Sequence, residues 1–170
     1  NFPTVHALAE ASETAVLNLW QGLGYYSRAR NLHFSAKYIA ETLNGEFPKN
    51  YKSLLDLKGV GDYTASAIAS ICYEEPVAVV DGNVYRVLAR YFGIDTPINS
   101  TEGVKKFKKL AESLLPLSNF GDYNQAIMEF GSQQCKPQSP NCKLCPLISS
   151  CKAYTTGSIK ALPVKLKKTK

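Results

Sequence analysis

At 170 residues the chain is long enough to bury a proper core in one domain or two small lobes. It holds no run of about 18 apolar residues, which excludes a membrane-spanning helix, and no charged-then-apolar leader opens it. The net charge of +6 is a weak nucleic-acid footprint, because five of the 20 Lys and Arg lie in residues 158–170 (Lys160, Lys165, Lys167, Lys168, Lys170) and leave 15 basic against 14 acidic residues elsewhere.

In chain order, the opening NFPTVHALAEAS has no initiator Met and reads as the interior of a larger protein. Ser12 and Glu13 start a helix on which Val16, Leu17 and Trp20 recur at helical spacing. GLGYY at 22–26 breaks it. A longer helix from about Ser27 to Asn44 carries Leu32, Ala36, Ile39, Ala40 and Leu43 on one face, and Gly45 and Pro48 stop it. Tyr51 to Leu57 and Tyr63 to Tyr73 are two helices joined by Gly59-Val60-Gly61. Glycines flanking one aliphatic residue permit backbone angles a side chain forbids, and they leave amides bare for a close anion. The helix that follows points its N-terminus at the same place. Gly59, Val60 and Gly61 are therefore candidate phosphate-gripping residues. Val77-Ala78-Val79-Val80 is strand-like and leads to Asp81.

A helix from Asn83 to Phe92 turns Val84, Val87, Leu88 and Tyr91 inward. Ser100 or Thr101 caps the next, through Leu115 before Pro116. Asp122 caps the last, through about Ser132. With no sustained alternation, the chain reads as all-α. Cys72 reads as a small buried thiol. Cys135, Cys142, Cys145 and Cys151 form a C-x6-C-x2-C-x5-C array that suits two disulfides, a zinc ion or an iron–sulfur cluster. Disulfides are disfavoured by the missing secretion signal, and spacing alone does not choose between the metals. The lysine-rich tail with Pro163 reads as a solvated linker.

GVGDYTASAIAS followed by VVDGNVYRVLAR resembles the helix-hairpin-helix DNA glycosylases, and within them the A/G-mismatch adenine glycosylases of the MutY family. LWQGLGYYSRARNL at 19–32 is a second matching block, and MEFGSQQC leading into the cysteine array is similar to the 4Fe-4S loop of the same group. The resemblance covers roughly residues 1–157. It implies two helical lobes with an iron–sulfur loop and a DNA-facing cleft, the N-terminal helices of the family's barrel being absent. The lobes are expected at 1–74, with the helix-hairpin-helix at 54–73, and at 75–155, with the cluster loop at 135–151. Residues 156–170 are expected as a basic tail.

The resemblance further implies removal of adenine opposite 8-oxoguanine or guanine in double-stranded DNA, by an intracellular monomer (cytoplasmic, nucleoid-associated in a bacterium). Asp81 matches the family's catalytic aspartate, whose charge would stabilise the cationic sugar; it is equally a natural N-cap, and both roles can coexist. Tyr63 stands where the endonuclease III type carries its Schiff-base lysine, so base removal without strand cleavage is implied. Tyr63 and Asn83 match positions lining the sugar side of the pocket. Tyr25 matches the residue that wedges into the base stack, Tyr26 fitting the core better, while Arg28 and Arg30 stay unassigned. Lys136 and Lys143 match basic residues that face phosphate, and the four cysteines match the cluster's ligands, zinc being the alternative.

Two departures are visible. Lys58 replaces the usual proline before the first hairpin glycine. No glutamate in residues 1–50 matches the family's general acid, since Glu10, Glu13, Glu41 and Glu46 look like exposed positions, so the chain as given is expected to be inactive alone. An endonuclease III-like lyase and a non-catalytic DNA-binding module are the competing readings.

Overall fold

In the computed structural model, residues 1–167 are described; the tail lysines Lys168 and Lys170 lie outside the described residues. Among the described residues all regular structure is helical: α1 (Val5–Glu10), α2 (Glu13–Leu19), α3 (Tyr26–Thr42), α4 (Tyr51–Leu54), α5 (Asp62–Tyr73), α6 (Gly82–Phe92), α7 (Thr101–Ser113), α8 (Phe120–Gln133) and α9 (Lys152–Thr155), with two 3-10 turns between α8 and α9. None of these helices is long and apolar enough to cross a membrane. The chain divides into two compact units, Asn1–Ala65 and Ser66–Lys170.

The first unit is organised on α3, against which α1 and α2 pack. Helix α1 escapes the sequence reading because six residues hold too little periodicity. It forms because the Thr4 hydroxyl accepts from the Ala7 amide. Ser12 caps α2 in the same way, through the Ala15 amide at 3.2 Å. Ala29, His33, Ala36 and Ile39 form the buried stripe of α3. Leu32, expected on that stripe, is instead half exposed, as are Leu19, Leu23 and Phe34. The first hairpin helix is shorter than expected and ends at Leu54, the chain then turning through Leu55–Leu57. Asn50 caps it, accepting from the Ser53 amide and hydroxyl.

The second unit is built around α6, which packs on α7, α8 and α9. Its core joins Ala78, Val80, Val84, Leu88, Ile98, Phe107 and Leu162. Asp81 caps α6, and Gly93 in the left-handed region closes it. Helix α8 starts two residues before the expected cap: Asp122 lies in its first turn, Asn119 takes the N-cap place, and the Glu74 carboxylate accepts from the Phe120 amide at 3.0 Å. Gly131 lets α8 approach α6 closely, since a methyl group there would lie 2.8 Å from the Asn83 Cβ.

The strand-like run 77–80 takes no regular secondary structure and pairs with no strand among the described residues. Its buried backbone groups find side chains instead. The Asn124 amide donates to Val77 O at 2.9 Å and accepts from Val79 N at 3.0 Å, while Lys108 Nζ donates to Ala78 O at 2.9 Å and to Ser66 Oγ at 3.1 Å.

The tail differs from the solvated linker expected. Ile159, Leu162 and Val164 join the core, Ile98 N donates to Val164 O at 3.0 Å, and Asn99 exchanges two hydrogen bonds with the backbone of Leu166. Alternating apolar residues between the lysines give the segment one face to bury, and that outweighs its charge.

Candidate functional site

In the first unit the hairpin turn is set by Gly59, whose φ of +84° is left-handed; an added Cβ would also lie 2.6 Å from Asn31 Nδ2. Gly61 differs from the expectation of two angle-setting glycines: its φ is not positive, and nothing lies within 4 Å of where its Cβ would be. The Val60 amide closes the turn on Leu57 O at 3.1 Å, and Gly61 O accepts from Ala65. The amides at the start of α5 point beyond the helix, as the first amides of any helix do. Tyr51 OH donates to Asp62 Oδ1 at 2.6 Å, fixing that first turn. Lys58 regains through α3 the rigidity a proline would have given: its carbonyl accepts from Ser35 Oγ at 3.1 Å and its Nζ lies 4.3 Å from the Phe34 ring centre.

Tyr63 is 47% exposed on the first turn of α5. Tyr25 is 81% exposed and left-handed at φ 48°, directly before α3, on a turn that Trp20 Nε1 pins by donating to Gly24 O at 3.0 Å. Tyr26, expected in the core, is also exposed. Arg28 lies 5.5 Å from the Trp20 ring centre and 5.9 Å from that of Tyr25, so it stacks on the turn. Arg30 pairs with Glu13 at 3.1 Å.

In the second unit Asp81 caps α6 with one oxygen. Its Oδ1 accepts from Asn83 N and Val84 N, both at 2.8 Å, and its Oδ2 accepts from Asn83 Nδ2 at 2.8 Å. Asn83 Oδ1 in turn accepts from Arg86 Nη2 at 2.8 Å. Arg86 is only 8% exposed and also donates to Cys135 O at 2.7 Å and Gly131 O at 2.6 Å. Burial pushes the Arg86 guanidinium below its ordinary value, against the pull of Cys135 and Asp81, while Arg90 adds to the lowering. A run of hydrogen bonds thus leads from the first cysteine to the capping carboxylate.

Arg90, one turn further on, is 3% exposed and donates to the carbonyls of Lys136, Pro137, Ile159 and Leu162 at 2.7–3.1 Å. Sequence reading missed both arginines. The available signal was two Arg four residues apart, 86 and 90, inside the apolar run VYRVLAR.

All five cysteines are free thiols, so the disulfide reading of the array finds no support; Cys72, expected buried, is exposed on α5. The four array thiols act on one another. Cys142 is pushed up first by burial, then by Cys135, Cys145 and Cys151, with Arg90 opposing. Arg90 Nη1 also lies 3.5 Å from Cys135 Sγ, and Cys151 Sγ donates to Arg90 O at 3.6 Å. Among the described residues no three His, Cys, Asp or Glu side chains are arranged around a single metal ion. One zinc ion would draw all four sulfurs to about 2.3 Å from a common point. Four thiols on one loop are a donor set that zinc and a 4Fe-4S cluster both accept. Lys136 and Lys143 are exposed on the same loop, and Lys143 borders an open cavity of about 1040 Å³ that Tyr154 and Lys160 also line.

Comparison with known proteins places this arrangement. The profile of the HhH-GPD superfamily base excision DNA repair proteins matches residues 1–116, and the chain belongs to that superfamily. Among curated proteins it is 46% identical over 153 residues to an adenine DNA glycosylase of Homo sapiens, covering 89% of this chain and 28% of that protein. It is 45% identical over 166 residues to that of Mus musculus, at 95% and 32%. With that of Buchnera aphidicola (strain Bp) identity is 39% over 158 residues, at 93% and 44%. The chain thus spans less than half the length of these relatives. Its fold is similar to a thermostable thymine-DNA glycosylase, with a TM-score of 0.82 at 30% identity over 90% of this chain and 70% of that one. An endonuclease III in non-covalent complex with DNA follows, with a TM-score of 0.78 at 26% identity, covering 92% and 72%.

Proposed function

We propose that the chain carries the duplex-gripping and charge-stabilising parts of an adenine DNA glycosylase, acting on adenine opposite 8-oxoguanine or guanine in double-stranded DNA. The observation that carries the reading is Asp81: an acceptor-only carboxylate fixed by two amides and Asn83, in a chain 38–46% identical to adenine DNA glycosylases. A glycosylase turns its target nucleotide out of the stack. Cleavage of the glycosidic bond then leaves positive charge on the sugar, and a fixed carboxylate lowers that barrier without having to reorganise. Asn83 keeps the carboxylate pointed. Tyr63 has no amine to form a Schiff base, so the product is an abasic site in an uncut strand.

Duplex binding falls to the hairpin and the first turn of α5, where Gly61 leaves room for phosphate while Gly59 and Val60 shape the turn. Tyr25 is exposed and held on a rigid turn, as a wedge between bases requires. Lys136 and Lys143 meet the backbone electrostatically. Cys135, Cys142, Cys145 and Cys151 would hold a 4Fe-4S cluster, which when bound cross-links their loop; zinc is the alternative occupant. Arg86 and Arg90 hold the same loop to α6 from the protein side.

The test is single-turnover adenine release from an A:8-oxoguanine duplex. It compares the chain alone with the chain joined behind the upstream segment of the mouse relative, because Glu10, Glu13, Glu41 and Glu46 are all exposed and Glu13 is ion-paired. The joined protein is expected to release adenine, and its Asp81→Asn variant to lose at least about 10²-fold in rate while still binding duplex. Tight binding without release by either protein would leave a DNA-binding module. A borohydride-trapped adduct on abasic DNA would leave an endonuclease III-type lyase. Release by the chain alone would place the proton donor within residues 1–170.

A further inference from the structure

The segment that delivers Asp81 is held in an unusual way. Ala78, Val79 and Val80 are buried, and a buried segment outside a helix ordinarily satisfies its amides and carbonyls on a neighbouring strand. Here one edge is taken by Asn124 of α8, whose amide bonds Val77 O and Val79 N as a partner strand would. The carbonyl between them, Ala78 O, is instead taken by Lys108 of α7, whose Nζ donates to it at 2.9 Å. The same ammonium donates to Ser66 Oγ, a fully buried hydroxyl on α5, and Ser66 O is itself occupied by Ser70 Oγ at 2.8 Å. Lys108 thus ties the segment before Asp81 to α5, and it directly follows Phe107, a core residue of α7.

We propose that Lys108 is a positioning residue for Asp81, acting through the carbonyl of Ala78. Two residues, Val79 and Val80, separate the gripped carbonyl from Asp81, so at most about 10 Å of chain lies between Ala78 and Asp81. None of the connecting residues can absorb a shift, because Val79 and Val80 are buried and Asp81 is fixed to the start of α6. A lysine suits the post because its long stem reaches across the core edge and its three donors serve two acceptors at once. The consequence for chemistry rests on the function proposed above; the mechanical part does not.

Two measurements separate them. The first is amide exchange over residues 77–83 in the chain itself, for wild type, Lys108→Met, Lys108→Arg and the exposed neighbour Lys109→Met. Lys108→Met is expected to speed exchange there at least tenfold, with Lys108→Arg and Lys109→Met close to wild type. Unchanged exchange in Lys108→Met overturns the proposal. The second is single-turnover adenine release and duplex Kd for the same variants of the joined protein. Here Lys108→Met is expected to lose 10- to 100-fold in rate with Kd within about twofold, and Lys108→Arg to recover most of the loss. A loss of Kd matching the loss of rate, or no loss of rate, overturns it. Should Lys108→Met fail to fold, Lys108→Gln replaces it in both arms. A wild-type joined protein that releases no base sinks the proposed function, and the exchange arm still decides the grip on the segment.

Discussion

The two hairpin glycines look alike in sequence, yet the structure assigns them different work, and alanine should expose the difference. At Gly59 alanine must adopt φ +84°, a left-handed backbone that costs an L-residue about 1–2 kcal/mol. Its methyl would also lie 2.6 Å from Asn31 Nδ2 and 2.7 Å from Asn31 Cβ. The amide can rotate aside; the Cβ cannot, so α3 or the turn must move, at about 1–3 kcal/mol for overpacking. Gly59→Ala is therefore expected to destabilise by about 2–5 kcal/mol, a large share of what a small domain has. At Gly61 neither term exists, and the narrower unfolded ensemble should make Gly61→Ala neutral or up to about 1 kcal/mol stabilising. Urea unfolding followed by Trp20 fluorescence reads this directly, since Trp20 is the one tryptophan and lies in the same unit as the hairpin. Duplex binding should reverse the order of interest: Gly61→Ala folds normally but binds less tightly, because its methyl occupies the approach of a phosphate. The reasoning fails if Gly59→Ala costs less than about 1 kcal/mol, or if the two variants unfold alike.

Arg86→Met should cost about 3–5 kcal/mol in urea unfolding, since the carbonyls of Cys135 and Gly131 and the Asn83 amide lose their donor together; a loss within the range of a surface substitution would show the run from Cys135 to Asp81 to be ornamental. Leu162→Ala should destabilise by about 2–5 kcal/mol, because a docked tail buries that side chain while a solvated linker would leave it without effect in a thermal melt. Iodoacetamide should label Cys72 in every preparation, and the four array cysteines only after iron is removed by chelation; array labelling that ignores bound iron would exclude those residues as its ligands. Cys135→Ser should lower iron and sulfide content in proportion, measured on purified protein, while leaving Cys72 labelling unchanged.

Features written in short-range chemistry were legible in the sequence. Ser12, Ser100 and Asp81 cap the helices expected of them, because a cap is a bond between residues three apart. The hairpin and the cysteine array likewise announce themselves by spacing. What escaped reading is long-range pairing between side chain and backbone: Asn124 reaches back 45 residues to Val79, Arg86 reaches 49 forward to Cys135, and Arg90 reaches 72 to Leu162. A polar residue inside an apolar helix face is visible, but its partner is set by tertiary packing, and periodicity carries no information about that. Glu74, left-handed at φ 51° and capping a helix that begins at residue 120, shows the same limit for caps.

The cap and the charge at Asp81 can coexist, and the hydrogen bonds show how. Arg86 has donors and no acceptor, so the face that Asn83 turns to it must be the carbonyl oxygen. That leaves the Asn83 NH2 group facing Asp81, and Oδ2 must accept. Oδ1 already accepts from two backbone amides that have no other orientation to take. Both oxygens are thus acceptors. An asparagine at position 81 could still cap α6 through its oxygen, since Asn is as good a cap as Asp, but its own NH2 would then confront that of Asn83. Turning Asn83 over would only transfer the conflict to Arg86. The arginine that ties the cysteine loop to α6 therefore also fixes, through one amide, which face Asn83 turns to the residue at the head of α6.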